Sequence, residues 1–329
     1  MLARFYDYLL KNQVIFALCL IVFGWFIFQI RDIIVSLFLS YIIMAAVLPI
    51  VTFLQKRKVP KLLAVLIPYF AIILLLVVLI VPLVPFVVAQ LRSLIIGFPK
   101  YLSQAAGLLG FTIDLKHMQA YLDSQMNTIG SNALQVTTTV FGGIFEIITV
   151  FIVSLYLLLY NDSFKKNFSR LFHTRQQQKV LNTLGLVNDK LGAWLQGQIA
   201  LSLSIGFMTW IALMLLGIPF ALPLALLAGI LEIVPTLGPT LSAIPAVVVA
   251  LTISPTMALV IVVTYIFIQM VEGQLLVPKI MQRAVGLNPI AVILGVTIGA
   301  NLMGIVGALL SIPFISFIIV IYKSIEAQK

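Results

Sequence analysis

Long apolar stretches dominate the chain, and shorter polar stretches separate them. Five apolar stretches have about the length of a single membrane helix, and they lie at about 14–30, 33–54, 62–89, 137–160 and 198–216. Three further apolar segments follow at about 217–253, 256–277 and 287–322. A helix needs roughly 20 apolar residues to cross a bilayer, whereas a membrane β-barrel shows short segments of alternating hydrophobicity. The continuous runs therefore predict an all-α, polytopic helical membrane protein with about eight membrane segments.

Two polar segments interrupt this pattern. Residues 90–136 carry apolar side chains at helical spacing, including Leu115, Met118 and Leu122. Residues 161–197 are the most polar part of the chain and hold six Lys and Arg residues. We predict a helical segment outside the cytoplasm for the first and a cytoplasmic helical segment for the second. The remaining parts are three N-terminal spans at 1–89, a fourth span at 137–160 and a C-terminal membrane core at 198–329.

Composition and charge support the membrane assignment. Hydrophobic residues make up 62% of the 329 residues and charged residues only 9%, with a mean hydropathy of +1.18. The net charge of +10 does not indicate nucleic-acid binding, because the basic residues form no long stripe with interleaved aromatics. With a cytoplasmic N-terminus, sixteen Lys and Arg residues lie inside and four outside. Cytoplasmic loops of membrane proteins are enriched in these residues, so both termini are predicted to be cytoplasmic.

Two of the C-terminal segments are too long for one ordinary span and are broken near the middle. The breaks contain Pro235, Gly238 and Pro239 in the first segment, and Gly299, Gly304 and Gly307 in the second. A simple span precedes each segment, so 198–253 and 256–322 share one plan. We predict two broken or re-entrant hairpins that form an inverted repeat, which places a binding site near the bilayer midplane. Eight plain spans are the alternative that the sequence leaves open.

The candidate pathway residues lie at and after these breaks. Glu232 directly precedes the first break, and an acid in hydrocarbon is costly unless it is paired or hydrated. Glu272 sits near two glutamines, which are expected to share its helix face and either line a pathway or hold helices together. The full set is Glu232, Pro235, Thr236, Gly238, Pro239, Gln269, Glu272, Gln274 and Asn301. An acid at the membrane interface is the other interpretation of Glu232.

The sequence does not indicate an enzyme, a metal site or a cofactor. His117 and His173 lie in the polar segments without Cys or acidic residues at metal-ligand spacing. The HExxH, GxSxG and Walker patterns do not occur. Two further acids, Glu146 in the fourth span and Asp162 at its exit, are weaker candidates, and Asp162 is expected at the surface.

Several motifs together resemble the autoinducer-2 exporter family. They are GQ at 197–198, LGIP at 216–219, LEIVPTLGP at 231–239, IQMVEGQLLVPKIM at 268–281, VGLNP at 285–289 and Ile312-Pro313. The resemblance covers essentially the whole chain. Two positions depart from the family pattern: Glu232 stands where Asn or Asp is common, and Asn288-Pro289 stands where His-Pro is common.

The resemblance implies a multi-pass transporter of the bacterial inner membrane that forms homo-oligomers. The core at 198–329 would then be the transport core. Members of the family are linked to export of a small polar signal molecule and to exchange of sodium or lithium for protons. The expected partners are the lipid bilayer and a small polar solute or a monovalent cation with protons. An oligomeric channel and a structural membrane scaffold are the competing functions.

Overall fold

In the computed structural model, all regular structure within the described part of the chain is helical. The structure describes residues 13–74, 133–234, 237–281 and 288–326, with four isolated positions at 99, 103, 106 and 107. Most of the predicted segment at 90–136, the second half of the third span, Pro235 and Thr236 lie outside the continuously described residues. The last four residues of that segment, 133–136, belong to the helix that begins at Ala133. The helical composition agrees with the predicted fold class.

The N-terminal half contains five helices in the described residues. They are α1 (Gln13–Gln29), α2 (Arg31–Lys56), α3 (Lys61–Leu74), α4 (Ala133–Leu159) and α5 (Asn161–Ser169). Apolar residues of α2, α3 and α4 form one core, which contains Met44, Val65 and Leu158. A hydrogen bond of 2.5 Å between the hydroxyls of Tyr69 and Ser154 joins α3 to α4 inside this core.

The C-terminal half consists of one very long helix and a series of broken ones. The elements are α6 (Thr174–Leu215), α7 (Ala221–Leu231), α8 (Leu237–Leu251), α9 (Pro255–Val271), a π turn (Glu272–Leu276), α10 (Val277–Ile280) and α11 (Pro289–Glu326). The predicted boundary at 197/198 falls inside α6, because its polar first half and its apolar second half form a single helix.

Four of the described helical segments are long and apolar enough to cross a membrane. They are Arg31–Lys56, Thr174–Leu215, Pro255–Ile280 and Ile290–Glu326. The pair Phe145–Leu159 and Asn161–Ser169, which bends by 70°, would make a fifth. The chain is thus a multi-pass helical membrane protein, and the total of eight segments stays a prediction.

Close packing of α2 against α6 joins the two halves. A Cβ atom on Gly192 would collide with the backbone carbonyl of Ala45, so glycine is needed at this crossing. The side-chain amide of Gln196 donates to the carbonyl of Ala46 at 2.6 Å, and the Tyr41 hydroxyl donates to the side chain of Asn188. The polar half of α6 therefore belongs to the packed core, with Leu191 and Trp194 buried.

Both broken segments fold back on themselves. In the first, α7 and α8 pack together, with Leu224 near the start of α7 and Ala246 late in α8 sharing one core. In the second, α11 is interrupted at Met303 and Gly304, where Gly304 has φ +61°. A Cβ on Gly299 would collide with the carbonyl of Gly307, and a Cβ on Gly307 would collide with the carbonyl of Gly299. Residues eight apart in a straight helix are about 12 Å apart, so the chain reverses here.

Candidate functional site

Glu232 lies at the turn between α7 and α8. Its backbone N–H still bonds to the carbonyl of Ala228 as the last link of α7, and its side chain is only 1% exposed. Gly238, at the start of α8, lies so close to the carbonyl of Leu231 that any Cβ would collide with it. The tight turn therefore depends on glycine, and it holds the acid inside the protein.

Glu272 reaches the interior from a second element, the π turn after α9. Pro278 explains this turn: a proline has no N–H, and its ring collides with the carbonyl four residues earlier in a regular α-helix. The wider π turn, in which the N–H of Val277 bonds to the carbonyl of Glu272, accommodates the proline. Such turns frequently occur at functional sites. The side chain of Glu272 is 8% exposed.

The two acids meet. The carboxyl groups of Glu232 and Glu272 lie next to each other, within reach of a hydrogen bond. A carboxylate only accepts hydrogen bonds, so a bond between the two acids requires a proton on one of them. The Oε2 atoms of both acids are buried and have no hydrogen-bond partner among the described residues. No Lys or Arg of the described residues forms an ion pair with either.

Gln198 of α6 fixes the turn beside this pair. Its side-chain amide donates a hydrogen bond of 2.8 Å to the backbone carbonyl of Glu232, and the bond is buried. Nearby, α7 lies tightly against α6, because a Cβ on Gly229 would be 2.9 Å from the carbonyl of Ser202. Gln198 was not among the predicted site residues. The Gly197-Gln198 motif was the only sequence signal for it.

The other predicted residues have different positions. Gly238 and Pro239 are buried at the turn. The expected shared face of Gln269, Glu272 and Gln274 does not form: both glutamines are exposed, and only the acid points inward. Gln269 lines a cavity of about 330 Å³ together with Pro239 and Tyr265.

The remaining candidates lie away from the acid pair or outside the described residues. Asn301 is exposed near the reversal of α11 and donates to the carbonyl of Thr297 at 2.9 Å. Pro235 and Thr236 lie outside the described residues. Glu146 is exposed on α4. Asp162 is exposed as expected, and it forms a 2.9 Å ion pair with Lys61.

A larger cavity of about 660 Å³ runs beside α6 and α7. Its lining is almost wholly apolar and includes Trp194, Phe207, Trp210 and Ile233, with Gln198 and Ser202 as polar members. The cavity reaches Ile230 and Ile233, which lie on either side of Glu232 in the sequence. Within the described residues, no group of three or more His, Cys, Asp or Glu side chains is placed to hold a metal ion.

The described residues form a multi-pass helical membrane protein with a buried acid pair at two interrupted helices, an arrangement that is typical of membrane transporters. The chain belongs to the AI-2E transporter family, whose model, described as "AI-2E family transporter", matches residues 14–327. The family predicted from the motifs is thereby confirmed.

Three curated relatives that are similar to this chain are named as putative transport proteins. The "Putative transport protein YueF" of Bacillus subtilis (strain 168) is 27% identical over 330 residues, which cover 92% of this chain and 88% of the relative. The "Putative transport protein YrrI" of the same organism is 26% identical and covers 85% of this chain and 82% of the relative. The "Putative transport protein MT0215" of Mycobacterium tuberculosis (strain CDC 1551 / Oshkosh) is 43% identical over 60 residues, 18% of this chain and 16% of the relative.

Proposed function

We propose that the chain is a secondary transporter in which the Glu232–Glu272 pair exchanges protons for a monovalent cation such as sodium or lithium. The observation that carries the proposal is the contact between two buried acids without a basic partner among the described residues. In a membrane, ionisable groups of this kind mark ion and proton pathways. A bound cation replaces the proton that the carboxyl contact requires, so the two ions compete for one site.

The interrupted helices provide the means of exchange. The acids lie on two elements that α6 supports, the α7–α8 turn and the π turn. A change in the charge of the pair therefore acts on both elements at once.

We propose that the hairpins α7–α8 and 289–326 are re-entrant and belong to an inverted repeat of 198–253 and 256–322. The two chain reversals support this topology, and helix ends near the midplane are typical of transporter sites.

The cellular setting is part of the same proposal. We place the protein in the bacterial inner membrane with both termini in the cytoplasm. The ion pair of Lys61 with Asp162 supports this orientation, because it holds the basic turn at 56–58 and α5 at one membrane surface.

We also propose a homo-oligomer. Glu146 is exposed on the apolar helix α4, and an acid facing lipid is costly unless a neighbouring subunit covers it.

Export of a small polar signal molecule is the second transport function that the family suggests. The large cavity near Glu232 is lined mainly by apolar side chains, so it offers little to bind such a solute. Cation exchange needs only the acid pair, and we therefore rank it first.

The test is flux in proteoliposomes with a pH-sensitive dye inside. An imposed sodium or lithium gradient should drive proton movement in the wild type. Glu232→Gln and Glu272→Gln should each abolish it, because an amide keeps the hydrogen bond but cannot exchange a proton for a cation. Glu146→Gln is the matched control and should retain most of the flux.

The same assay separates the competing functions. Cation flux that is stimulated by the cation on the opposite side indicates exchange, whereas flux without this stimulation indicates a channel. Wild-type proton movement in both Glu232→Gln and Glu272→Gln would contradict the proposal. The absence of ion flux, with counterflow of a small polar solute instead, would favour export.

A further inference from the structure

The short helix α5 has features that the transport proposal does not use. It follows α4 at Tyr160 and is bent by 70° from it. Aromatic residues recur every fourth position through this bend, at Tyr156, Tyr160, Phe164, Phe168 and Phe172. The ring of Tyr156 on α4 stacks with that of Tyr160, which lies between α4 and α5, and the ring centroids of Phe164 and Phe168 lie 6.0 Å apart on α5. One aromatic ladder thus continues from an apolar helix onto a helix that turns away from it.

The ladder is exposed. Phe164, Phe168 and Phe172 are 42%, 38% and 40% exposed, and Leu171 beside them is 79% exposed. Another side of α5, with Asn161 and Ser169, is buried, in line with the packing of α5 against α6. Tyrosines are enriched where membrane helices leave the hydrocarbon. The two tyrosines therefore mark the membrane surface, and α5 begins at that level.

The opposite side of α5 is basic. Lys166 and Arg170 are exposed and lie two positions after Phe164 and Phe168, which places them on the far side of the helix from the rings. The ion pair of Lys61 with Asp162 brings the basic turn at 56–58 to the same surface. Segments 56–61 and 161–179 together contain nine Lys and Arg residues and one acid.

We propose that α5 lies in the headgroup layer of the membrane, with its aromatic ladder at the acyl boundary and its basic side bound to anionic phospholipid headgroups. A helix with one apolar face and Lys or Arg on the other binds an interface in this way. The positive charge of both segments complements the negative surface of such lipids. The aromatic ladder continues from Tyr156 and Tyr160, which mark the membrane surface. This continuity favours a lipid surface over an acidic protein as the partner.

The position of α5 is tested by spin labelling of the full chain in nanodiscs. In a Cys19→Ser background, one variant carries Phe168→Cys and another carries Lys166→Cys, each with a nitroxide label. The label at 168 should be relaxed more by oxygen, and the label at 166 more by a water-soluble nickel chelate. Equal access of the nickel chelate to both positions would overturn the interfacial placement. Exclusion of both reagents from position 168 would show that protein covers the ladder.

The lipid preference is tested by titrating the detergent-solubilised protein with fluorescent phosphatidylglycerol, using phosphatidylcholine as the neutral lipid. The wild type should bind phosphatidylglycerol more tightly. Lys166→Gln/Arg170→Gln should weaken its binding by roughly thirty-fold, since each basic residue near an anionic surface contributes about one factor of five. The control Lys279→Gln/Lys323→Gln removes the same charge elsewhere and should change binding by less than about three-fold.

Two results would contradict this assignment. Equal losses in both double variants would show a general charge effect, and equal affinity for the two lipids would show no headgroup preference. The charge-preserving variant Lys166→Arg/Arg170→Lys guards against misfolding. It should bind as the wild type does, and a loss there would attribute the effect to structure and reject the charge contact.

Discussion

The side-chain amide of Gln198 bonds to the backbone carbonyl of Glu232 at 2.8 Å and so joins the middle of the longest helix to the acid turn. The bond is buried, and Gln198 itself is 3% exposed. A carbonyl at a helix break has lost its regular partner, so a side-chain donor stabilises it. Through this bond, α6 fixes the position of the backbone that carries Glu232.

Replacement of Gln198 should impair both stability and transport. We expect Gln198→Leu to lower the free energy of unfolding by about 1–3 kcal/mol, because a buried carbonyl loses its donor. Cation-driven proton flux should also fall strongly, because the acid turn loses its support. Thermal unfolding in detergent and flux in proteoliposomes measure the two effects.

Gln196 supplies the matched control for this prediction. Its amide donates to the carbonyl of Ala46 at 2.6 Å, away from the acid turn. Gln196→Leu should cost less stability, because this bond is only partly buried, and it should leave the cation dependence of the flux unchanged. Equal flux defects in both variants would show that Gln198 acts only through general stability.

The sequence predicted the helical class and the family, and it singled out Glu232 as a candidate, because all three depend on local features. Apolar length identifies membrane helices, and an acid beside Pro and Gly stands out in an apolar segment. The contact of Glu232 with Glu272 could not be predicted in this way. It joins residues 40 positions apart, and the inward direction of Glu272 depends on a π turn that a regular helical spacing does not show.

The length of α6 shows a second limit of the pattern. The change from polar to apolar residues near 197 predicts a boundary between segments, yet the helix continues through it. Helix continuity depends on backbone hydrogen bonds, which polar and apolar residues satisfy equally well. The burial of Leu191 and Trp194 in the polar half comes from packing against other helices, which sequence spacing alone did not reveal.

The reversal in α11 should be sensitive to single methyl groups. Gly299→Ala and Gly307→Ala each place a Cβ against a backbone carbonyl that cannot move aside. We expect each to cost at least the 1–3 kcal/mol typical of overpacking, measured by thermal unfolding in detergent. Gly295→Ala should cost less, because its Cβ would meet the flexible end of Ile315.

Gly24 provides the neutral comparison for this series. Nothing lies within 4 Å of a Cβ built on Gly24, and the residue is helical in α1. Gly24→Ala should be neutral or stabilising by up to about 1 kcal/mol. A loss in Gly24→Ala as large as in Gly299→Ala would contradict the proposed close approach.

The re-entrant topology predicts which cysteines an impermeant reagent can reach. In a Cys19→Ser background, cysteines at Lys166 and Lys279 should be protected from a reagent added outside intact cells. A cysteine at Arg31 should react, because it lies on the outer side in the predicted orientation. Ready labelling at 279 alone would favour full crossings over hairpins, and labelling at 166 but not at 31 would reverse the orientation.

The π turn should be removable by a single substitution that spares stability. Pro278→Ala restores the N–H and removes the ring that opposes a regular helix. Alanine favours the helix over proline by about 3 kcal/mol, so stability in detergent should be unchanged or higher. Flux should nevertheless fall, because a regular helix would turn Glu272 away from Glu232.

Pro255→Ala is the control for this prediction. Pro255 occupies the first turn of α9, where a missing N–H is harmless, so the flux of this variant should stay near that of the wild type. Full flux in Pro278→Ala would show that the π turn is not needed to bring the two acids together.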